Sequence, residues 1–149
     1  MINFKNKKIL VTGATGGIGK ALVQKFVSLE GNVLATGTKT EKLDALKKEF
    51  PSINVLKFDI SDHSKIEEFI ENVSSQLVGL DILVNNAGIN MDNLSLRMKD
   101  DEWKKVIDLN LGSTFFLCKY GIKKMLKNKY GRIVNITSVV GHTGNLGQS

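Results

Sequence analysis

The chain has 149 residues, of which 42% are hydrophobic, a size and composition typical of one globular domain with a buried core. Its single cysteine, Cys118, excludes a disulfide framework and a cysteine-rich metal site, and His63 and His142 are too far apart to form a local ligand pair. No apolar run is long enough to span a bilayer, and no apolar stretch of a signal peptide follows the charged start. These features predict a protein of the reducing cytoplasm.

The net charge of +6 arises in residues 109–149. That segment has no acidic residue, and its basic residues are Lys119, Lys123, Lys124, Lys127, Lys129 and Arg132. Such a patch suits nucleic acid, an acidic protein or an anionic substrate, and it equally suits a solvated helix face. Composition alone favours the solvated face.

Short apolar runs alternate with segments of helical period, a pattern typical of repeated βαβ units and a parallel sheet. Five strands are predicted, at Lys8–Thr12, Asn32–Gly37, Ile53–Phe58, Ile82–Asn85 and Arg132–Thr137. Right-handed crossovers then place the first strand in the middle and open a ligand crevice at the carboxyl ends of the strands. The sequence therefore predicts one α/β domain over residues 1–149, built on a doubly wound parallel sheet.

Three helices carry apolar residues at helical spacing. One stripe consists of Ile66, Phe69, Ile70, Val73 and Leu77, on a helix that Ser61 or Asp62 is expected to cap. An earlier helix has Ile18, Leu22 and Phe26 on one face, and a later one, beginning near Asp100, is expected to turn Trp103, Val106 and Ile107 toward the core. These faces are predicted to pack on the sheet.

A glycine-rich turn, with glycines at residues 13, 16, 17 and 19, joins the first strand to the first helix. Its small residues let a backbone pass close to a pyrophosphate, and the helix start offers free N–H groups to an anion. No Gly-Lys-Ser/Thr ending follows, so a P-loop is disfavoured. Taken alone, the turn indicates either a dinucleotide site or a structural tight turn.

The second strand ends at Gly37, Thr38 and Lys39 without the acidic residue that would hold the ribose of NAD. Thr38, Lys39 and Lys42 suit a 2′-phosphate instead, so NADP(H) is the predicted cofactor. The alternative interpretation of Lys39 and Lys42 is an ordinary solvated helix start.

The run T-G-x-x-x-G-I-G at Thr12–Gly19 resembles the opening signature of the short-chain dehydrogenase/reductase family, and Asn85–Gly88 is similar to its N-N-A-G motif. The resemblance covers the whole chain and implies a Rossmann-like sheet with strand order 3-2-1-4-5, five of the family's usual seven strands being present. It implies that the cofactor is bound by Gly13, Ala14, Thr15, Gly16, Gly17, Ile18, Gly19, Thr38, Asp59, Ile60, Asn86, Ala87 and Gly88. Asp59 would hold the adenine, the alternative being that it caps the next helix.

The resemblance also implies catalytic roles for two residues. Asn110 matches the family's asparagine at a helix kink, which anchors a proton-relaying water, and Ser138 matches the serine that orients the substrate carbonyl. The family's Tyr-x-x-x-Lys follows this serine by about a dozen residues and would lie beyond Ser149. The domain is therefore expected to be incomplete at its C-terminus, and the 149-residue chain alone is expected to show no reductase activity.

Within the family, the segment D-N-L-x-x-R-M-x-x-x-x-W at Asp92–Trp103 resembles the 3-oxoacyl-[acyl-carrier-protein] reductases. That likeness implies fatty-acid synthesis with NADPH, an acyl carrier protein docked near Lys129 and Arg132, and a homotetramer. It moves carrier-protein docking slightly ahead of the solvated face as the interpretation of the basic patch. A non-catalytic dinucleotide-binding module, or a dehydrogenase of another small carbonyl or alcohol, is the alternative.

Overall fold

The computed structural model describes residues 3–148. The strands are β1 (Lys8–Val11), β2 (Asn32–Gly37), β3 (Asn54–Lys57), β4 (Ile82–Asn85) and β5 (Arg132–Asn135). The helices are α1 (Gly17–Ser28), α2 (Thr40–Glu49), α3 (Ile66–Leu77), α4 (Asp100–Ile107), α5 (Thr114–Lys127) and the single turn α6 (Val140–Thr143). A 3₁₀ turn (His63–Lys65) precedes α3, and a wide π-helical turn (Asp108–Ser113) joins α4 to α5.

The five strands form one parallel sheet in the order β3-β2-β1-β4-β5. Leu10 of β1 lies beside Leu34 of β2 on one side and Leu83 of β4 on the other. The predicted Rossmann-like α/β architecture and its strand order are confirmed. Strands β1, β3 and β5 are each shorter than predicted, by one residue in β1 and by two residues in β3 and β5.

Two apolar cores lie on opposite faces of the sheet. Ile9 and Val11 of β1 pack in the core under α1 and α2, whereas Leu10 packs in the core under α3 and α5. Alternate strand residues point to opposite faces, and a parallel sheet covered on both sides needs apolar residues at each of them. This explains why the strands read as continuous apolar runs.

The apolar stripe predicted for α3 is confirmed, since Ile66, Phe69, Ile70, Val73 and Leu77 are all buried. The predicted cap is wrong. Neither Ser61 nor Asp62 caps α3, because the 3₁₀ turn intervenes and Lys65 stands at the N-cap. The Asp62 carboxylate accepts a 2.6 Å hydrogen bond from the Ser64 hydroxyl, which lowers the pKa of Asp62.

Two helix faces differ from the prediction. Ile18 is 61% exposed and Trp103 is 53% exposed, although both were expected on buried faces. In α1 the fully buried residue is Val23, and Ile18 lies at the helix end that borders the sheet's carboxyl edge. Helix α4 has no buried residue. The prediction failed there because helical spacing shows which apolar side chains share a face, but not whether another element covers that face.

No helix within residues 3–148 is both long and apolar enough to cross a membrane. The same part of the chain has no cluster of three His, Cys, Asp or Glu side chains arranged to hold a metal ion.

Candidate functional site

The loops at the carboxyl edge of β1, β2, β3 and β4 enclose one cavity of about 450 Å³. All of the predicted cofactor-binding residues line it except Ala14: Gly13, Thr15, Gly16, Gly17, Ile18, Gly19, Thr38, Asp59, Ile60, Asn86, Ala87 and Gly88. Ala14 is fully buried beneath the turn. Residues from four separate segments of the sequence thus surround one space, which we name the edge cavity.

The edge cavity has further lining residues that the sequence interpretation missed: Thr36, Gly37, Phe58, Ile89 and Leu109. Thr36, Gly37 and Phe58 lie at the ends of β2 and β3, so the strand-end rule could have found them. Ile89 and Leu109 belong to a loop and to the wide turn, and no local pattern indicated them.

Close packing explains the glycines of the glycine-rich turn between β1 and α1. Gly13 has a φ of +60°, and a Cβ there would lie 2.8 Å from the Cα of Ala87. A Cβ on Gly19 would collide with the carbonyl oxygen of Gly13 and lie 2.8 Å from the Cα of Ala14. Glycine therefore lets α1, the turn and the end of β4 meet backbone to backbone.

The N-terminus of α1 opens on the edge cavity. Gly16 is its N-cap residue, and no acidic side chain lies in the first turn. The N–H groups of Gly17, Ile18 and Gly19 have no acceptor within residues 3–148. Free N–H groups and the positive end of the helix dipole together form a site for a phosphate group.

The hydroxyl of Thr12 joins the ends of β1 and β4. Its Oγ1 donates to the Val84 carbonyl at 3.2 Å and accepts from the N–H groups of Asn86 at 3.0 Å and Ala87 at 3.1 Å. The Asn86 amide donates in return to the carbonyls of Thr12 at 2.9 Å and Gly13 at 3.1 Å. Asn86 thus holds the glycine turn in place from within the protein.

Asp59 and Thr38 lie at the exposed rim of the edge cavity. Asp59 Oδ1 accepts from both the backbone N–H and the hydroxyl of Ser61, at 2.9 and 2.8 Å. The carboxylate therefore closes a local turn and does not cap α3. Lys39, at the N-cap of α2, and Lys42 are exposed and lie outside the cavity lining.

A second cavity of about 370 Å³ adjoins the first, and Ile89 lines both. The predicted catalytic residues Asn110 and Ser138 both line the second cavity. Apolar side chains form much of the remaining wall: Met91, Met98, Trp103, Val106, Ile107 and Val140. The polar residues Asn90, Asp92 and Gln148 complete its lining.

Asn110 lies on the wide turn and binds the backbone of Ile89 twice. Its Oδ1 accepts from the Ile89 N–H at 2.9 Å, and its Nδ2 donates to the Ile89 carbonyl at 2.8 Å. The helix irregularity expected at Asn110 is therefore a π-helical turn, a rare form that concentrates at functional sites. The Ser138 hydroxyl oxygen accepts a long 3.3 Å bond from the N–H of Val140.

The basic patch is smaller than the sequence suggests. Lys123 is paired with Glu67 at 2.7 Å, and Lys124 is paired with Glu71, both acids lying on α3. These bonds raise the pKa of Lys123 and lower that of Glu71. Within residues 3–148, the basic residues of the patch without an acidic partner are Lys119, Lys127, Lys129 and Arg132.

The family model described as short chain dehydrogenase matches residues 7–149. A relative from Rickettsia bellii, named 3-oxoacyl-[acyl-carrier-protein] reductase FabG, is 43% identical over 149 residues, which cover 100% of this chain and 61% of the relative. Proteins of the same name are 40% identical over 152 residues in Aquifex aeolicus and over 149 residues in Escherichia coli K12, each match covering 99% of this chain and 61% of the relative. The chain thus spans 61% of the length of these curated relatives.

The fold is that of an α/β domain with a ligand crevice at the carboxyl edge of its parallel sheet. The chain belongs to the short-chain dehydrogenase family, whose model covers nearly its whole length.

Proposed function

We propose that residues 1–149 form the dinucleotide-binding region and part of the carbonyl site of a cytoplasmic, NADPH-dependent reductase. Its reaction is the reduction of 3-oxoacyl-[acyl-carrier-protein] to 3-hydroxyacyl-[acyl-carrier-protein] in fatty-acid synthesis. The observation that carries this proposal is that the two cavities adjoin and share Ile89 in their linings. A helix end with free N–H groups lines one of them, and the predicted catalytic residues Asn110 and Ser138 line the other.

The residues of the edge cavity fit a nicotinamide dinucleotide. Gly13 and Gly19 remove the side chains that would separate α1 from the turn, and the N–H groups of the first turn of α1 are free to bind a pyrophosphate. Ala87 and Gly88 leave room for the flat nicotinamide and its ribose at the end of β4. Asp59 and Ile60 line the cavity beyond β3, which supports the proposal that they hold the adenine.

A nicotinamide held beside Ala87 and Gly88 would supply the hydride that reduces the carbonyl carbon. The Ser138 hydroxyl donates a hydrogen bond to the carbonyl oxygen and orients it. Asn110 fixes the Ile89 peptide at the border of the two cavities. The family's proton donor belongs to Tyr-x-x-x-Lys, and no such motif stands between Ser138 and Ser149. We therefore propose that the 149-residue chain alone binds the dinucleotide without reducing the substrate.

We expect the chain to bind NADPH at least about tenfold more tightly than NADH, and Thr38→Asp to reverse the preference. The end of β2 (Gly37, Thr38 and Lys39) has no carboxylate to repel a 2′-phosphate, whereas an aspartate at residue 38 would repel it and hydrogen-bond to a ribose diol. A tenfold ratio corresponds to about 1.4 kcal/mol. Titration of both dinucleotides by calorimetry measures the ratio.

Thr38→Ser is the matched control, since it keeps a hydroxyl at the rim and should keep the preference for NADPH. Equal affinity of the wild-type chain for NADPH and NADH would contradict the proposed cofactor. An unchanged ratio of NADPH to NADH affinity in Thr38→Asp would show that residue 38 does not contact the 2′-phosphate.

The proposed docking surface for the carrier protein is the groove at the end of α5. Ile122, Met125 and Leu126 form its apolar side, and Lys129 and Arg132 lie at its rim, the groove measuring about 590 Å³. Unpaired cations beside an apolar groove complement an acidic helix with an apolar face. This arrangement supports docking over a purely solvated face.

Lys129→Glu combined with Arg132→Glu is expected to weaken binding of an acyl carrier protein by about tenfold, because two attractive charges become repulsive. Lys119→Glu combined with Lys127→Glu is a control of equal charge change that leaves the two rim residues intact. Fluorescence anisotropy of a labelled carrier protein at several salt concentrations measures both. Equal losses of affinity in the two double variants would show that the net charge of the chain, and not a contact with Lys129 and Arg132, governs binding.

A non-catalytic dinucleotide-binding module is the second candidate, since the edge cavity by itself suits a dinucleotide. For the first candidate we also propose a homotetramer. Leu111 and Phe115 of the wide turn and α5 are exposed apolar side chains outside the lining of the groove proposed for the carrier protein, which supports association between copies.

A further inference from the structure

His63 contacts the wide turn from a different part of the fold. It begins the 3₁₀ turn before α3, and its Nε2 lies 3.0 Å from the Asp108 carbonyl oxygen and 3.1 Å from the Ser113 hydroxyl. Both partners belong to the wide turn (Asp108–Ser113). A carbonyl oxygen only accepts hydrogen bonds, and the Ser113 hydroxyl donates its proton to the Ile60 carbonyl, so both contacts are satisfied when Nε2 carries the proton.

The surroundings of His63 are shaped to its ring. A Cβ on Gly112 would lie 2.9 Å from the His63 Cε1, so the glycine at residue 112 leaves the space that the imidazole fills. The ring also packs against Phe116, with 5.0 Å between centroids. The side chain is therefore seated between the 3₁₀ turn and the wide turn, and is not free in solvent.

Ser113 extends this contact to the loop after β3. It is fully buried, and its hydroxyl donates to the Ile60 carbonyl at 2.7 Å. Ile60 lines the edge cavity. His63 and Ser113 thus connect the wide turn to the loop that borders the proposed adenine site.

The other side of the wide turn carries Asn110. Its amide binds the Ile89 peptide through both the N–H and the carbonyl, and Ile89 lines both cavities. π-Helical turns are uncommon in helices, so contacts outside the helix are needed to make this one the preferred conformation. Among the described residues of the 3₁₀ turn, His63 is the one whose side chain hydrogen-bonds to the wide turn.

We propose that His63 is a positioning residue: by donating from Nε2 to the Asp108 carbonyl, it holds the wide turn in the form that presents Asn110 to Ile89. Its importance for catalysis rests on the proposed function, because Ile89 borders the two cavities that would hold the cofactor and the carbonyl. The structural claim itself is tested without either ligand.

The test compares His63→Phe with His63→Gln in the 149-residue chain. Phenylalanine keeps a ring of similar shape without a donor, whereas glutamine carries an amide donor near the place of Nε2. We expect His63→Phe to make the Ile89 amide exchange about tenfold faster with solvent, as expected for the loss of one hydrogen bond. His63→Gln should restore exchange to within about threefold of wild type.

The Leu83 amide in the centre of the sheet reports global unfolding, and His142→Phe is the control for replacing a histidine. We expect Leu83 exchange in His63→Phe to accelerate by no more than Ile89 exchange, because the lost bond also lowers the stability of the whole fold. The Ile89 rate in His142→Phe should stay unchanged. Unchanged Ile89 exchange in His63→Phe would overturn the proposal, and so would a failure of His63→Gln to restore it. An imidazole ¹⁵N spectrum that places the neutral proton on Nδ1 would overturn it as well.

This result is independent of the dinucleotide titration. Equal binding of NADPH and NADH by the wild-type chain would contradict the proposed function without affecting the interpretation of the exchange rates. Failure of the exchange test would remove the role of His63 without affecting the cofactor.

Discussion

Gly19→Val is expected to weaken dinucleotide binding at least about a hundredfold, which corresponds to about 2.7 kcal/mol. Any Cβ at residue 19 collides with the Gly13 carbonyl oxygen and comes within 2.8 Å of the Ala14 Cα, and both are backbone atoms that cannot turn away. The first turn of α1 must therefore move off the glycine turn, which displaces the N–H groups proposed to bind the pyrophosphate. Calorimetric titration with NADPH measures the loss.

Gly16→Ala is the matched control, because a Cβ there meets the Gly13 carbonyl oxygen at an ordinary 3.5 Å. It should bind NADPH within about threefold of wild type, a difference of less than 1 kcal/mol. Unfolding in urea checks that Gly19→Val remains folded, since overpacking of this kind costs about 1–3 kcal/mol. A folded Gly19→Val chain with wild-type affinity would disprove the assigned phosphate site.

Thr12→Val is expected to lower the free energy of unfolding by about 2–4 kcal/mol. The substitution keeps the shape of the side chain but removes the oxygen that accepts from the N–H groups of Asn86 and Ala87. Thr12 is fully buried, so water cannot replace the lost acceptor without entering the core. Urea unfolding followed by circular dichroism gives the change.

Thr12→Ser retains the hydroxyl and loses only a methyl group, so its loss of stability should be clearly smaller. If the valine and serine variants were equally stable, the hydroxyl between β1 and β4 would not contribute as proposed. We expect Thr12→Val to weaken NADPH binding too, because Asn86 positions the glycine turn through the same junction.

The parts of the fold that were predictable from sequence depend on burial and chain direction. Strands such as Ile82–Asn85 are buried on both faces, and right-handed crossovers leave few strand orders to choose from. The lining of the edge cavity was predictable for a related reason. Once strand ends are located, the carboxyl edge brings Gly13, Thr38, Asp59 and Asn86 together.

The missed features depend on contacts between distant segments. Lys123 and Lys124 appeared unopposed because Glu67 and Glu71 lie more than 50 residues earlier and meet them only when α3 packs beside α5. Trp103 was expected in the core because its spacing matches Val106 and Ile107, but spacing does not show which helix face is covered. The contact of His63 with Asp108 has no local signal, since neither residue type predicts the other.

The central position of β1 also constrains how the chain acquires its structure. Ile9 lies beside Val33 on one side and Ile82 on the other, so the strand near the N-terminus obtains its second neighbour only after about 70 further residues have been made. Each such pairing closes a long loop before it gains stability, and non-local pairings slow folding. During synthesis on the ribosome, β1 must therefore wait with one edge open until β4 emerges.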